Sequence, residues 1–180
     1  MYKKLTTTAI MLALSTVLSM MVIWRLPNDG SVTPGSMVPL IAIAIMFGWR
    51  WGIFAGIIHG IIQMMLMFAT PPVQDFWSYA LVVLLDYIVA FGVLGFAGII
   101  YRLIHNKYLA VPIAGAIGVF LRFLCHFFSG VTIWSVYAGE QNAFVYSLLY
   151  NGSYLLPELL ITVIILIGVS KFITSKRFES

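Results

Sequence analysis

Six apolar segments, at about residues 5–24, 38–48, 52–69, 77–101, 110–136 and 146–170, leave only short polar joints between them. Apolar runs on this scale are the mark of membrane spans. Of the 180 residues, 62% are hydrophobic and 9% charged, whereas a soluble domain carries roughly 25% charged residues. The chain therefore reads as an all-α integral membrane protein, a six-transmembrane-helix bundle forming a single membrane domain over residues 1–180, with no stretch suited to a soluble domain. The formal net charge of +4 sits at segment ends and not in a cluster, so it carries no nucleic-acid signal. The single Cys125 excludes an intramolecular disulfide and a Cys-based metal cluster. With no Walker A motif, nucleotide hydrolysis by that route is excluded as well.

A crossing takes about 20 residues, so segment 38–48 is too short alone and abuts the next one through Gly48-Trp49-Arg50-Trp51-Gly52. That sequence reads as a tight interfacial turn, with glycines for the backbone and tryptophans at headgroup level. The first loop, containing Pro27, Asn28, Asp29, Gly30, Pro34 and Gly35, is long and turn-rich; Pro71-Pro72 and Gly139 to Asn142 mark two further loops. If six spans alternate, Lys3, Lys4, Arg50, Arg102, Lys107, Lys171, Lys176 and Arg177 fall on one side, and only Arg25 on the other, with Asp29, Asp75 and Glu140. The positive-inside rule then places both termini in the cytoplasm. No small-x-small cleavage site follows residues 1–24, so they read as a span and not as a signal peptide.

Small residues suggest where helices touch. Ala9 and Ala13 form a small-xxx-small pair continued by Ser15 and Ser19; Gly52, Gly56 and Gly60 repeat the spacing, and Gly92, Gly95 and Gly98 line the fourth segment. Internal packing and contact with another subunit are both compatible with such patterns.

Three ionisable residues, Asp86, Arg122 and Glu158, sit well inside expected spans. Charges at that depth face a bundle interior or a water-filled cavity and are paired or neutralised. Two carboxylates against one guanidinium leave one surplus negative charge, which favours a cationic or strongly hydrogen-bond-donating ligand; a structural Arg–carboxylate pair beside a protonated acid is the alternative. Arg122, His126, Gly130 and Trp134 follow at i+4 steps and share a helix face. Trp134 can stack on a flat ring or cation, His126 can bond in the ring plane, and Gly130 leaves room against the backbone. Tyr146, Tyr150 and Tyr154 form another i+4 stripe leading to Glu158; tyrosines of that kind are also common interfacial belt residues. The Asn151 amide offers a donor and an acceptor side by side. His59 and Gln63, one turn apart, read as hydrogen-bonding across the bundle. No metal, cofactor or catalytic group is expected: His59, His105 and His126 occupy separate segments, no His-x-x-x-His or Glu-x-x-His pattern occurs, and hydrolase and intramembrane-protease motifs are missing.

These residues resemble a known family, the substrate-binding S-components of energy-coupling-factor (ECF) vitamin importers, specifically the thiamine-binding ThiT type. The resemblance lies in Leu-Asp-Tyr (85–87), in Arg122-x3-His126-x2-Ser129-Gly130-x3-Trp134-x2-Tyr137, and in Tyr146-Ser147-x3-Asn151-Gly152. It implies a high-affinity thiamine pocket near the outer face of the bacterial cell membrane, closed by the first loop, in a multi-pass protein. Substrate-binding roles would fall to Asp86, His126, Trp134, Tyr146 and Asn151, with Tyr87 and Gly130 alongside; Arg122 joins them by its place on the same helix face. It also implies that Ala9 and Ala13 dock on a membrane-embedded coupling subunit, which works with two ATPases. The chain departs from the family's pattern in three places. The helix 4 acid is typically a glutamate followed by Tyr, here Asp86-Tyr87. The first loop lacks a tryptophan between Asn28 and Met37, for which Trp24, or Phe76 and Trp77, could stand in. Glu158 is an additional acid. A thiamine precursor or another vitamin or nucleobase-like ligand is the alternative within transport; a small membrane enzyme or assembly factor using Asp86, Arg122 and Glu158 for proton transfer is the alternative outside it.

Overall fold

The computed structural model describes residues 2–175. Lys176 and Arg177, counted above among the inward charges, lie outside the described residues, as does the side chain of Asp29. Helices run over Tyr2–Met20 (α1), Val38–Phe47 (α2), Trp49–Leu66 (α3), Phe76–Leu103 (α4), Lys107–Thr132 (α5) and Ala143–Ile173 (α6). Among the described residues, α4, α5 and α6 are long and apolar enough to cross a membrane. The last two carry outward-facing Phe120, Phe128, Leu156, Leu160 and Ile164, which would be a costly surface in water but suit lipid.

Helix α2 has a different part. Its 10 residues cover only about half of a hydrocarbon layer at 1.5 Å per residue, and Leu40, Ile41 and Ile43 are fully buried with Leu94, Val111 and Leu166 around them. It is the core about which the longer helices pack. Gly48, at φ 92°, makes the α2–α3 joint. The turn is thus a single residue, and Trp49 to Gly52, expected in the turn, already belong to α3. Only glycine adopts that backbone without strain.

The glycines of α3 and α4 settle into internal contacts. A Cβ on Gly56 or Gly60 would strike the carbonyls of Phe91 or Tyr87, and one on Gly95 would strike the backbone of Ile53. Ser15 and Ser19 do not continue the Ala9–Ala13 stripe. Both serines are buried, Ser15 donating to the Ser36 carbonyl at 2.6 Å, while Ala9 and Ala13 are exposed on another face of α1. His59 and Gln63 do bond across the bundle: Gln63 to Ser19, and His59 to Ser15 at 3.4 Å.

Three further features escaped the hydropathy pattern. The first loop holds a small antiparallel hairpin, β1 (Trp24–Arg25) with β2 (Ser31–Val32), so the first helix stops at Met20 and not near residue 24. Helix α4 widens to π winding over Val83–Ile88 and tightens to 3-10 winding over Val93–Phe96. Helix α5 ends at Thr132 and passes into a 3-10 turn, Trp134–Ala138, where a continuous helix to residue 136 was expected. The ends nearest the loops are capped by side chains. Asp75 accepts from the Ser78 N–H at 2.9 Å, which holds its carboxyl below the usual range, and Asn142 accepts from Phe144 N–H at 2.9 Å.

Candidate functional site

A chamber of about 330 Å³ opens between α1, α3, α4, α5, α6 and the first loop, within the usual size for a small-molecule pocket. The π turn explains how α4 serves it. Winding with i→i+5 bonds accommodates an extra residue in the turn, and the adjacent Asp86 and Tyr87 are both buried and both line the chamber. The Tyr87 hydroxyl donates to the Met67 carbonyl and accepts from Ala69 N–H, each at 2.7 Å, tying the α3–α4 connection to this wall.

Asp86 is the best-supported group in the chamber. Its Oδ1 lies 3.2 Å from His126 Nδ1. Its Oδ2 accepts from Ser129 Oγ at 2.8 Å and from Trp134 Nε1 at 3.0 Å. Three groups around one carboxylate satisfy its oxygens at a depth where an unpartnered polar group would be expensive. Trp134 reaches the chamber from the 3-10 turn and not as the fourth member of the α5 stripe; its ring stacks on Tyr137 with centroids 6.2 Å apart.

Arg122 behaves differently from the sequence expectation. Its guanidinium lies 3.8 Å from the Phe91 ring centroid, and neither carboxylate approaches it within ion-pair distance. Asp86 pairs with His126 instead, and Glu158 Oε1 accepts from the Thr33 N–H of the first loop at 2.5 Å. Asn151 does not present a free amide edge either. Its Nδ2 donates to the carbonyls of His126 and Ser147 and to Ser147 Oγ, and its Oδ1 accepts from Tyr154. Asn151 thus orients the α5–α6 wall. Gly130 is a packing point as well as a lining residue, because a side chain there would run into Ser147 and Asn151.

The chamber gathers Asp86, Tyr87, Arg122, His126, Gly130, Trp134, Tyr146, Asn151 and Glu158. It does not include the suggested substitutes for a loop tryptophan. Trp24, Phe76 and Trp77 are 58%, 75% and 73% exposed and stand outside the lining, the latter two packed edge-on against each other. Strand pairing turns Trp24 outward, and the Asp75 cap leaves the first turn of α4 at the rim. Residues underrated from sequence include Tyr154, which is buried, and Tyr150, whose hydroxyl bonds the loop at Pro27 O, Asn28 O and Gly30 N. Their i+4 spacing from Tyr146 was the available signal. Thr33 and Ser36 had none beyond the length of the loop.

Fold and chamber together define a helical membrane protein with a polar chamber of small-molecule size between its helices and its first loop. The sequence matches the thiamine transporter protein (Thia_YuaJ) family over residues 5–177. It is 31% identical over 172 residues to the thiamine transporter ThiT of Bacillus subtilis, spanning 88% of this chain and 85% of that one. It is 26% identical over 157 residues to the ThiT of Lacticaseibacillus paracasei, spanning 79% and 74%. A solved structure of ThiT from Listeria monocytogenes shares the fold, with TM-score 0.78 and 24% identity over 95% of this chain and 94% of that one. The chain belongs to the thiamine transporter family. It is a multi-pass transport protein of the bacterial plasma membrane and not an enzyme, so the proton-transfer alternative for Asp86, Arg122 and Glu158 falls away.

Proposed function

We propose that this chain is the substrate-binding subunit of an ECF-type importer, taking up thiamine at the chamber and delivering it to the cytoplasm. The observation that carries the reading is the Asp86 carboxylate, braced by His126, Ser129 and Trp134 beside a stack of aromatic rings. A braced carboxylate flanked by an indole suits a planar cation such as thiazolium, through charge and through the ring face. Each charge-assisted contact supplies about 1.5–3 kcal/mol. Asp86, Tyr87, Arg122, His126, Gly130, Trp134, Tyr146 and Asn151 form or orient the binding wall in this reading.

The whole chain acts as one membrane domain of six spans with both termini in the cytoplasm, and the first loop covers the pocket on the outer side. Transport requires a membrane coupling subunit and two ATPase subunits, and the exposed Ala9–Ala13 face of α1 is the proposed docking surface for the former.

Titration of purified protein with thiamine, followed by tryptophan fluorescence, tests the reading, because Trp134 sits in the chamber wall. Saturable quenching is expected, with much weaker response to an aminopyrimidine that lacks the thiazolium. Equal affinity for both would replace thiamine by its precursor. No response to either would end the proposal.

A further inference from the structure

The polar atoms of the chamber divide into those held by the protein and those that are not. Asp86 and the Asn151 amide are held, as described above. On the same wall, Nε and Nη1 of Arg122, Nε2 of His126 and Oε2 of Glu158 are buried and make no hydrogen bond within the protein. Buried donors and acceptors are normally satisfied, so a set of exceptions on one cavity wall marks where a ligand supplies the complement. Arg122 and His126 lie one turn apart on α5, and Glu158 lies on α6. Arg122 and Glu158 are within electrostatic reach but separated by more than ion-pair distance.

We propose that Glu158 determines specificity by accepting from the exocyclic amino group of the ligand's aminopyrimidine ring, while Arg122 donates to the adjacent ring nitrogen. The assignment rests on the thiamine reading above. The edge of a 4-aminopyrimidine sets a donor beside an acceptor. An ionised carboxylate only accepts and a guanidinium only donates, so this pair reads that edge in one orientation. His126, with its Nδ1–H on Asp86, offers Nε2 as a further acceptor on the same wall. Asp86 is then left to balance the cationic ring. Glu158 also holds the first loop through Oε1 and Thr33 N–H, so one carboxylate touches both the guest and the loop that covers it.

Isothermal titration of the purified full chain with thiamine and with oxythiamine, in which a carbonyl oxygen replaces the amino group, tests the assignment. The wild-type chain should prefer thiamine by about a hundredfold or more, since a site built for a donor rejects its replacement strongly. Glu158→Gln keeps an oxygen for Thr33 and turns an NH₂ toward the ring. It should bring the two affinities within about tenfold or reverse their order. A Glu158→Gln protein that still binds thiamine with the preference unchanged overturns the assignment. Glu158→Asp keeps the carboxylate and should keep the preference at lower affinity; loss of the preference there overturns it too. If the wild-type chain binds neither compound, the thiamine reading fails and this assignment with it. If it binds both equally, only the role of Glu158 fails.

Discussion

Helix α4 meets α3 along one face and α5 along another, and the two contacts are built from opposite materials. Toward α3, glycines bring the two main chains together: Gly56 lies against the Phe91 carbonyl, Gly60 against that of Tyr87, and Gly95 against the backbone of Ile53. Toward α5 there is a carboxylate, an imidazole, a hydroxyl and an indole nitrogen within hydrogen-bonding distance of one another. The glycine seam depends on shape and leaves no room for a side chain at Gly56, Gly60 or Gly95. The chamber wall depends on charge and holds its groups where a guest can reach them. In the proposed reading, stability and recognition thus fall on two different faces of one helix.

The separation can be broken most severely at the seam. Gly95→Val should abolish the folded state or lower its stability by several kcal/mol, because the new side chain meets backbone that cannot move aside; thermal unfolding in detergent measures it. Asp86→Asn should leave that unfolding transition in place while weakening thiamine binding by more than about tenfold, the loss expected for one charge-assisted contact. Unchanged affinity would take Asp86 out of the site. Tyr150→Phe should be the mildest of the three. It removes the hydroxyl that joins α6 to Pro27, Asn28 and Gly30, and about a fivefold faster release of thiamine in stopped-flow fluorescence is expected from a hydrogen bond worth ~1 kcal/mol.

Much of this is legible in the sequence. The apolar segments marked the helices because a helix that meets lipid needs no polar face, and the brevity of 38–48 already set α2 apart. The i+4 stripe of Arg122, His126 and Gly130 shares one wall of the chamber, as its spacing required. Features set by tertiary contact were not legible. The two-residue strands of the hairpin have no pattern of their own, since their pairing follows from where α1 and α2 end. The partner of Arg122 depended on distances that sequence does not carry, and the aromatic face of Phe91 took the place of a carboxylate. Asn151 looked available for a ligand because its neighbours across the α5–α6 contact were unknown. Trp24, Phe76 and Trp77 had suitable chemistry, but backbone geometry at the hairpin and at the Asp75 cap directs them away.

The π winding at Val83–Ile88 has a consequence for the whole of α4. Each residue of an α-helix advances the azimuth by about 100°, so deleting one residue there would restore the regular ladder and swing the Phe76 end of the helix by that angle relative to the Leu103 end. The chamber acid and the close-packed glycines would then fall out of phase, although every other residue was preserved. In that sense the widened turn works like a shim between two machined parts, fixing the relative bearing of two surfaces that neither could set alone.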